Sequence, residues 1–137
     1  MRLALWLVVT AALLAGVFLG IVYLASESGE VVTLRTRDAA GVEHATRLWV
    51  VDEGGAEWVR TGHAEKGWFL RVLANPRVGL ERAGQATERT AVPVRDPAVV
   101  QAVNEAYVRK YGVADWIVGL SGNPSKRIPI RLDPASP

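Results

Sequence analysis

The sequence predicts an α+β domain with a mainly antiparallel sheet that can curl into a small barrel, preceded by a single transmembrane helix. Three features of the chain carry this prediction. A run without charged side chains opens the chain, short alternating segments bounded by turns fill most of the remainder, and two helical segments interrupt them. Strands and helices do not alternate regularly, which argues against a parallel sheet.

The composition limits the size of the protein and the chemistry available to it. With 137 residues the chain has room for one modest domain. It contains no cysteine and two histidines, so disulfides, thiolate nucleophiles and most metal centres are not expected. The formal net charge of +2 is too small for a nucleic-acid-binding surface. We therefore expect neither a metal site nor a nucleic-acid partner.

The run from Leu3 to Leu24 has the length and composition of a membrane span. Its 22 residues contain no charged side chain. At about 1.5 Å of rise per residue they cover the roughly 30 Å hydrocarbon core. A cleaved signal peptide is the alternative, but its apolar region is normally shorter, and only Ser26 to Ser28 has a suitable cleavage spacing. The predicted organisation is an anchor at residues 1–25, a linker at 26–30, a barrel domain at 31–134 and a tail at 135–137.

The charges that flank this run predict its orientation. Arg2 precedes the helix, whereas the first basic residues after it are Arg35 and Arg37. The positive-inside rule therefore places the N-terminus in the cytoplasm and the domain outside it. Because Arg35 and Arg37 still lie within the distance over which the rule counts charges, a cytoplasmic domain remains an alternative.

Alternation of apolar and polar residues predicts the first three strands of the domain. The segments are Val31 to Arg37, His44 to Val51 and Ala56 to Thr61, joined by turns at Asp38 to Gly41 and at Glu53 to Gly55. From Glu65 to Asn75 the apolar period becomes helical, and the following proline stops the helix. Arg77 to Arg82 and Thr87 to Val94 then read as a second hairpin, with its turn at residues 83–85.

A second helix and a last strand complete the predicted domain. Asp96 is a good N-cap, Pro97 suits the first helical position, and Gly112 ends the helix after Tyr111. We expect the two tyrosines at 107 and 111 to pack this helix on the barrel. In the last strand, Ile128 to Leu132 alternates, and Pro129 predicts a position at the sheet edge or in a bulge.

Four short motifs within this order resemble the flavin- and deazaflavin-binding split β-barrel proteins. They are GHAEKGWFLRVLANPRV at 62–78, WVRTG at 58–62, YVRKYG at 107–112 and RIPIRLDP at 127–134. The last three are similar to the deazaflavin-dependent nitroreductase branch and its uncharacterised relatives. The resemblance covers roughly residues 31–134 and leaves out the anchor. It implies a six-stranded split β-barrel with two helices, commonly a homodimer, that holds an isoalloxazine-type ring in a groove and the ring's phosphate on basic residues.

One segment departs from the family pattern. Deazaflavin-using relatives carry a Gly-Arg-Lys-Ser-Gly-like turn after the first strand, and here the matching residues are Arg37 to Gly41, with Asp38 in a position that would repel a phosphate. A phosphorylated cofactor, FMN or a deazaflavin, would therefore need other donors. From the strand plan and the resemblance, the candidate cofactor-binding residues are Arg47, Arg60, Thr61, His63, Lys66 and Trp68.

Five of the six candidates also have a structural interpretation. Arg47 and Arg60 are often solvated or ion-paired on such strands, and Trp68 can seal a helix against the barrel instead of lining a groove. His63 is most simply a loop histidine, although an imidazole there could bind a cofactor or substrate. Lys66 could reinforce anion binding at free helix N–H groups, or simply face solvent.

The sequence leaves three functions open. The first is a membrane-anchored flavin- or deazaflavin-dependent reductase of a small planar acceptor, a quinone or a nitro compound, whose redox chemistry belongs to the cofactor. The second is a non-enzymatic module whose groove lacks a cofactor or takes another ligand such as haem, which the altered turn favours. The third is a dimerising membrane scaffold, to which a stripe of small residues at Ala12, Gly16 and Gly20 points.

Overall fold

The computed structural model describes residues 1–26 and 29–136. Its elements follow in the order α1 (Arg2–Ser26), β1 (Val31–Arg37), β2 (Glu43–Trp49), β3 (Val51–Glu53), β4 (Ala56–Thr61), α2 (Gly67–Ala74), β5 (Arg77–Arg82), β6 (Gln85–Pro93), α3 (Pro97–Tyr111), α4 (Val113–Gly119), a 3₁₀ turn (Pro124–Lys126) and β7 (Ile128–Pro134). The predicted linker at 26–30, the cleavage spacing at 26–28 and the tail at 135–137 each include residues outside the described ones.

One curled sheet of seven strands forms the domain, in the order β2-β1-β5-β6-β7-β4-β3, and its strand pairs are antiparallel. Its two edge strands, β2 and β3, are separated along the chain by Val50 alone. The sheet must therefore curl until its edges meet at this residue, which produces a half-barrel. The predicted α+β, mainly antiparallel plan is confirmed, whereas the predicted number of six strands is wrong.

The extra strand arises because the predicted strand from His44 to Val51 breaks at Val50. Val50 and Val51 are both buried, so the alternation of inward and outward side chains fails there and the chain changes direction. The hydroxyl of Tyr111 accepts a hydrogen bond from the Val50 N–H at 3.1 Å and lies 2.9 Å from the Val50 carbonyl oxygen. A side chain of α3 thus satisfies backbone groups at the seam of the barrel.

The predicted pair of helices in the domain is also incomplete, since the described residues contain α2, α3 and α4. Helix α3 matches its prediction: Asp96 accepts hydrogen bonds from two N–H groups of the first turn, and Gly112 ends the helix at φ +55°. Helix α4 begins directly after that glycine. Helix α4 could not be predicted from the sequence, because VADWIVG is a nearly continuous apolar run in which no helical period is visible.

The prediction that Pro129 marks an edge strand or a bulge is wrong, because β7 lies between β6 and β4. The Pro129 carbonyl accepts a hydrogen bond from the N–H of Val94, the first residue after β6. In an antiparallel strand, the N–H and C=O of one residue point toward the same neighbouring strand. Because the Pro129 carbonyl points toward the end of β6, the N–H that proline lacks would also have pointed there, beyond the last residue of that strand. A proline is therefore tolerated inside the sheet.

Two apolar clusters hold the domain together. The larger fills the curled sheet and is closed by Trp68, Phe69 and Val72 of α2. The smaller joins α3 to β3 and β4 and contains both Tyr107 and Tyr111, as expected from the sequence. Helix α3 is thereby fixed on the outside of the barrel, next to the seam.

Helix α1 is apolar and long enough to cross a membrane, and none of the residues in its most apolar stretch is buried. Helices of soluble proteins and signal sequences can meet the same criteria of length and composition. The described part of α1 contacts the domain at α4. Within that part, Val22 and Ala25 are the residues that are not exposed, so the contact lies near the C-terminal end of the helix.

Candidate functional site

A cavity of about 650 Å³ lies between the rim of the sheet and α4. Its walls come from β2, β4, the loop between β4 and α2, α3, and the segment from α4 to β7. The residues that line it are Val31, Arg47, Leu48, Trp49, Arg60, Gly62, His63, Glu65, Lys66, Tyr107, Val118, Gly119, Ser121, Gly122, Asn123, Lys126 and Arg127. This volume falls within the range of small-molecule sites.

The structure brings four of the six candidate residues to this cavity, namely Arg47, Arg60, His63 and Lys66. The other two lie elsewhere. Thr61 is buried, and its hydroxyl donates to the His63 carbonyl at 2.8 Å, which fixes the loop that carries the histidine. Trp68 belongs to the core of the barrel. For all six residues, contact with a cofactor stays a prediction.

The cavity lining is strongly basic. Among the residues that the structure describes, it contains five side chains with fixed positive charge and one carboxylate, that of Glu65. The basic residues are Arg47, Arg60, Lys66, Lys126 and Arg127. Like charges that converge on one partly enclosed space repel each other, and an anion placed among them relieves that repulsion. The lining therefore has the chemistry of an anion-binding site.

Asp115 of α4 organises the inner part of this cluster. Its side chain is buried and forms an ion pair with Arg60, while the Arg127 guanidinium lies 3.5 Å from its second oxygen. Arg60 also donates to the Asn104 side chain at 2.9 Å and stacks over the Tyr107 ring at 3.9 Å. One carboxylate is thus shared by two partly buried guanidinium groups, and Arg60 has the closer partners.

Arg127 is the less compensated of the two arginines. Burial lowers the pKa of its guanidinium, and the nearby Arg60 charge lowers it further, while Asp115 offsets part of this effect. The group stays charged at neutral pH because arginine titrates far above it. A buried charge that is incompletely paired gains most from an added counter-ion, so Arg127 is the side chain best suited to bind an anionic group.

Aromatic side chains form the wall beside these charges. Trp49 and Tyr107 line the cavity, and the Trp49 ring stacks on Tyr111 with centroids 4.2 Å apart and planes at 6°. Burial raises the pKa of Tyr107 well above its usual value, so this hydroxyl stays neutral and donates to the Trp49 carbonyl at 3.0 Å. The site therefore combines fixed positive charge with flat, rigid apolar surface.

His63 stands at the opening, in the loop that leads to α2. Its Nδ1 lies 3.0 Å from the Glu65 carboxylate. Backbone hydrogen bonding within Glu65, followed by the contact with His63, lowers the pKa of that carboxylate. Lys66 caps α2 without a side-chain hydrogen bond to the helix. The described residues hold no group of three His, Cys, Asp or Glu side chains that could bind a metal ion.

The turn after β1 engages the carboxylate of Asp38 in contacts of its own. One oxygen of Asp38 accepts from the N–H groups of Ala40 and Val42, both at 2.9 Å, and the other lies 2.8 Å from His44 Nε2. Contact with His44, together with these N–H groups, lowers the pKa of Asp38. The carboxylate therefore stays ionised and serves the turn itself.

Sequence reasoning missed three residues that shape the site, namely Trp49, Asp115 and Arg127. Asp115 was not found because α4 was not predicted, although a single acidic residue inside an apolar run is a usable signal. Arg127 begins the RIPIRLDP motif, and the alternation of that motif indicates only a strand.

Comparisons with other proteins place the chain in a family and confirm its fold. Residues 24–129 match the family DUF2255, described as uncharacterized protein conserved in bacteria. No curated protein matches the chain. A conserved hypothetical protein of Mycobacterium tuberculosis superposes with a TM-score of 0.62 at 23% identity, over 80% of this chain and 75% of that one.

Two further solved structures carry functional names. An F420-H2 dependent reductase has a TM-score of 0.56 and 19% identity, over 74% of this chain and 93% of that one. The haem storage protein of Vibrio cholerae has a TM-score of 0.56 and 16% identity, over 85% and 89% of the two chains. At these identities the likeness shows the fold alone, which this chain shares with the F420-H2 dependent reductase and with the haem storage protein.

Proposed function

The chain belongs to the DUF2255 family, uncharacterized proteins conserved in bacteria, and from that premise we propose that it is a membrane-anchored oxidoreductase. In this proposal the basic cavity binds a phosphorylated flavin or deazaflavin, and the protein reduces a small planar acceptor such as a quinone or a nitro compound. The observation that carries the proposal is the excess of positive charge in a cavity with an aromatic wall.

The residues present fit such a cofactor. Arg127, Lys126 and Lys66 would supply charge-assisted hydrogen bonds to a phosphate, and Trp49 offers a flat surface to a planar ring. Arg60 is held by Asp115 and Asn104, so it contributes charge and positions the cluster. A bound flavin would supply the redox chemistry, while these side chains bind it, orient it and exclude water.

Two features of the fold support the choice of acceptor and of location. Helix α1 has the length and apolarity of a single membrane span, and a quinone is itself soluble in the membrane. A reductase of the same fold, the F420-H2 dependent reductase, uses a deazaflavin. The side of the membrane on which the domain lies stays a prediction, with the outer side favoured by Arg2.

Absorbance spectroscopy on the full chain, purified in detergent, tests the proposal. We expect added FMN or the deazaflavin F420 to give a saturable change in the visible band of the flavin. The bound cofactor should then support quinone reduction when an external reductant is supplied. Absence of binding by both cofactors would refute the proposal.

The second candidate is a ligand-binding module for haem, and His63 favours it. This imidazole lines the cavity, and its contact with Glu65 resembles the carboxylate that orients many iron-ligating histidines. The basic lining would also suit haem propionates. A Soret shift on adding haemin, lost in His63→Ala and accompanied by no FMN binding, would favour this function.

We also propose that the protein is a homodimer. In the alternative function, a membrane scaffold, dimerisation is the main role. The small residues Ala12, Gly16 and Gly20 are exposed on α1, and a Cβ added at either glycine meets nothing within 4 Å. This leaves room for the close approach of a second helix. Crosslinking in membranes, compared with Gly16→Leu, measures whether the chain pairs through this stripe.

A further inference from the structure

Helix α4 has an inverted distribution of polar and apolar side chains. Its one charged residue, Asp115, is 5% exposed and faces the protein, whereas Val113, Trp116 and the C-cap residue Leu120, which keeps the helical conformation, are 71%, 66% and 52% exposed. On a helix these three residues lie within one narrow face, at steps of three and four. A helix on the surface of a soluble domain normally has the opposite arrangement, with apolar residues inward and charges outward.

The inward side of α4 is explained by the site already described. Asp115 pairs with Arg60 and approaches Arg127, so this carboxylate fixes the rotation of the helix. With Asp115 held inside, the geometry of the helix forces the three apolar side chains outward. The apolar face is therefore a fixed part of the fold, and some apolar medium is needed to cover it.

The position of α4 identifies that medium. Helix α4 contacts α1, and the partly covered residues Val22 and Ala25 place this contact near the C-terminal end of α1. That end is where a membrane-spanning α1 leaves the hydrocarbon core. The outward side chain of Trp116 belongs to the residue type that concentrates at the membrane interface, because its ring is both apolar and polar.

We infer that α4 lies in the head-group region of the bilayer that α1 spans, with Val113, Trp116 and Leu120 facing the lipid. This inference rests on the membrane anchoring in the proposed function. It has a consequence for the site, because Val118 and Gly119 of the same helix line the cavity. The cavity then opens beside the lipid surface, and a lipid-soluble acceptor can reach it without crossing bulk water.

Spin labels on single cysteines test the inference, since the natural chain contains no cysteine. Three full-length variants are reconstituted in phosphatidylcholine vesicles: Trp116→Cys and Leu120→Cys on α4, and Leu13→Cys on α1. Leu70→Cys is the matched control, because Leu70 is 51% exposed on a different helix, α2. Circular dichroism and the thermal midpoint establish that each variant is folded.

Collision rates with oxygen, which enriches in lipid, and with a water-soluble nickel chelate give the result. We expect labels at 116 and 120 to show a higher ratio of oxygen to nickel collisions than the label at 70, approaching that at 13. Equal ratios at 116, 120 and 70 would overturn the inference. So would dipolar broadening at 116 with low accessibility to both reagents, since that pattern means a second copy covers α4.

The same samples separate failure of the inference from failure of the proposed function. If the label at 13 is in lipid and the label at 116 is in water, anchoring stands and the inference about α4 falls. If the label at 13 is also in water, anchoring falls and the inference falls with it. FMN titration of each variant reports cofactor binding independently of either result.

Discussion

Two clusters of charged side chains lie on the same barrel, and they differ in their balance. The first surrounds Arg82, which forms ion pairs with Glu30, Asp52 and Glu57. Its other members are Arg89, paired with Glu57, and Lys110, paired with Glu30. Three basic groups therefore meet three carboxylates. Among the described residues of the cavity, four basic side chains face two carboxylates, Glu65 in the lining and Asp115 buried behind it; the four are Arg60, Lys66, Lys126 and Arg127.

This difference distinguishes a structural cluster from a binding site. The balanced cluster ties Glu30, the residue before β1, to β3, β4, β5 and α3, and it leaves no net charge for a ligand to neutralise. The cavity retains positive charge that the protein does not compensate, at a cost in stability that a bound anion would remove. The same residue types thus hold the fold together in one place and prepare a site in the other.

The largest expected effect follows from removing the charge of Asp115, the buried carboxylate behind the cavity. Asp115→Asn leaves Arg60 and Arg127 buried without a counter-charge, so we expect a loss of about 3 to 5 kcal/mol in the free energy of unfolding. Urea unfolding of the detergent-solubilised chain, followed by near-ultraviolet circular dichroism, measures it. The control is Asp52→Asn in the balanced cluster, where an exposed ion pair is worth about 0.2 to 1 kcal/mol. Equal losses in the two variants would contradict the distinction.

A smaller but more specific effect is expected from Gly119→Ala. A Cβ on this residue would lie 2.7 Å from Nη2 of Arg127, so the guanidinium must move while every charge is retained. Loss of a charge-assisted hydrogen bond costs about 1.5 to 3 kcal/mol, which corresponds to a roughly tenfold to hundredfold weaker affinity for FMN. Gly122→Ala is the control, since Gly122 lines the same cavity and its Cβ would meet nothing within 4 Å.

Much of the fold could be predicted from the sequence because its signals are local. The alternation from Val31 to Arg37 and the cap at Asp96 fix β1 and α3 at the predicted boundaries. The strand break at Val50 depends instead on a hydroxyl from Tyr111, a residue 61 positions later. No pattern within β2 or β3 contains that contact, so the seventh strand could not be predicted.

Less of the site could be predicted, because part of it also depends on contacts between residues that are distant in the chain. Arg47, Arg60, His63 and Lys66 lie on strands or loops whose placement is local, and they do reach one cavity. Asp115 determines which arginine is compensated, and it is 55 residues from Arg60 in the chain. The candidates from the sequence include Arg60 and Lys66 but not Arg127, which our proposal adds as the principal contact of the phosphate.

A third, smaller effect concerns the balanced cluster and acidic pH. Hydrogen bonds from Arg82 lower the pKa of Glu30 and of Asp52. Burial alone would raise the pKa of Glu57, but hydrogen bonds from Arg82 and Arg89 outweigh burial, so this pKa is also lowered. Carboxylates with lowered pKa stabilise the fold above their ordinary values of about 4, and this contribution disappears as pH falls through the lowered values.

Arg82→Gln should therefore cost roughly 1 to 2 kcal/mol at pH 7, and the difference from the parent should shrink below about pH 4. Thermal unfolding across pH 3 to 7 measures this difference. Arg131→Gln serves as the control, because Arg131 pairs with Asp133 of its own strand and outside this cluster. A difference that grows on acidification would contradict the assignment of the cluster.

The smallest effect is expected at the turn after β1. Asp38 is engaged by two N–H groups and by His44, and it lies outside the cavity lining. Asp38→Ala should leave the affinity for FMN unchanged or slightly tighter, because it removes a negative charge without touching a donor. Isothermal titration measures this affinity. A clear loss of binding would mean that the turn, and not the cavity, binds the phosphate.

The central claim, that uncompensated charge around Arg127 binds the anionic group of the cofactor, is tested most directly by comparing FMN with riboflavin. The two ligands share the isoalloxazine ring and differ in the phosphate. We expect the parent protein to bind FMN about tenfold or more tightly than riboflavin, and Arg127→Met to reduce this ratio towards one while retaining riboflavin affinity. Equal affinities for the two ligands in the parent protein would contradict the account.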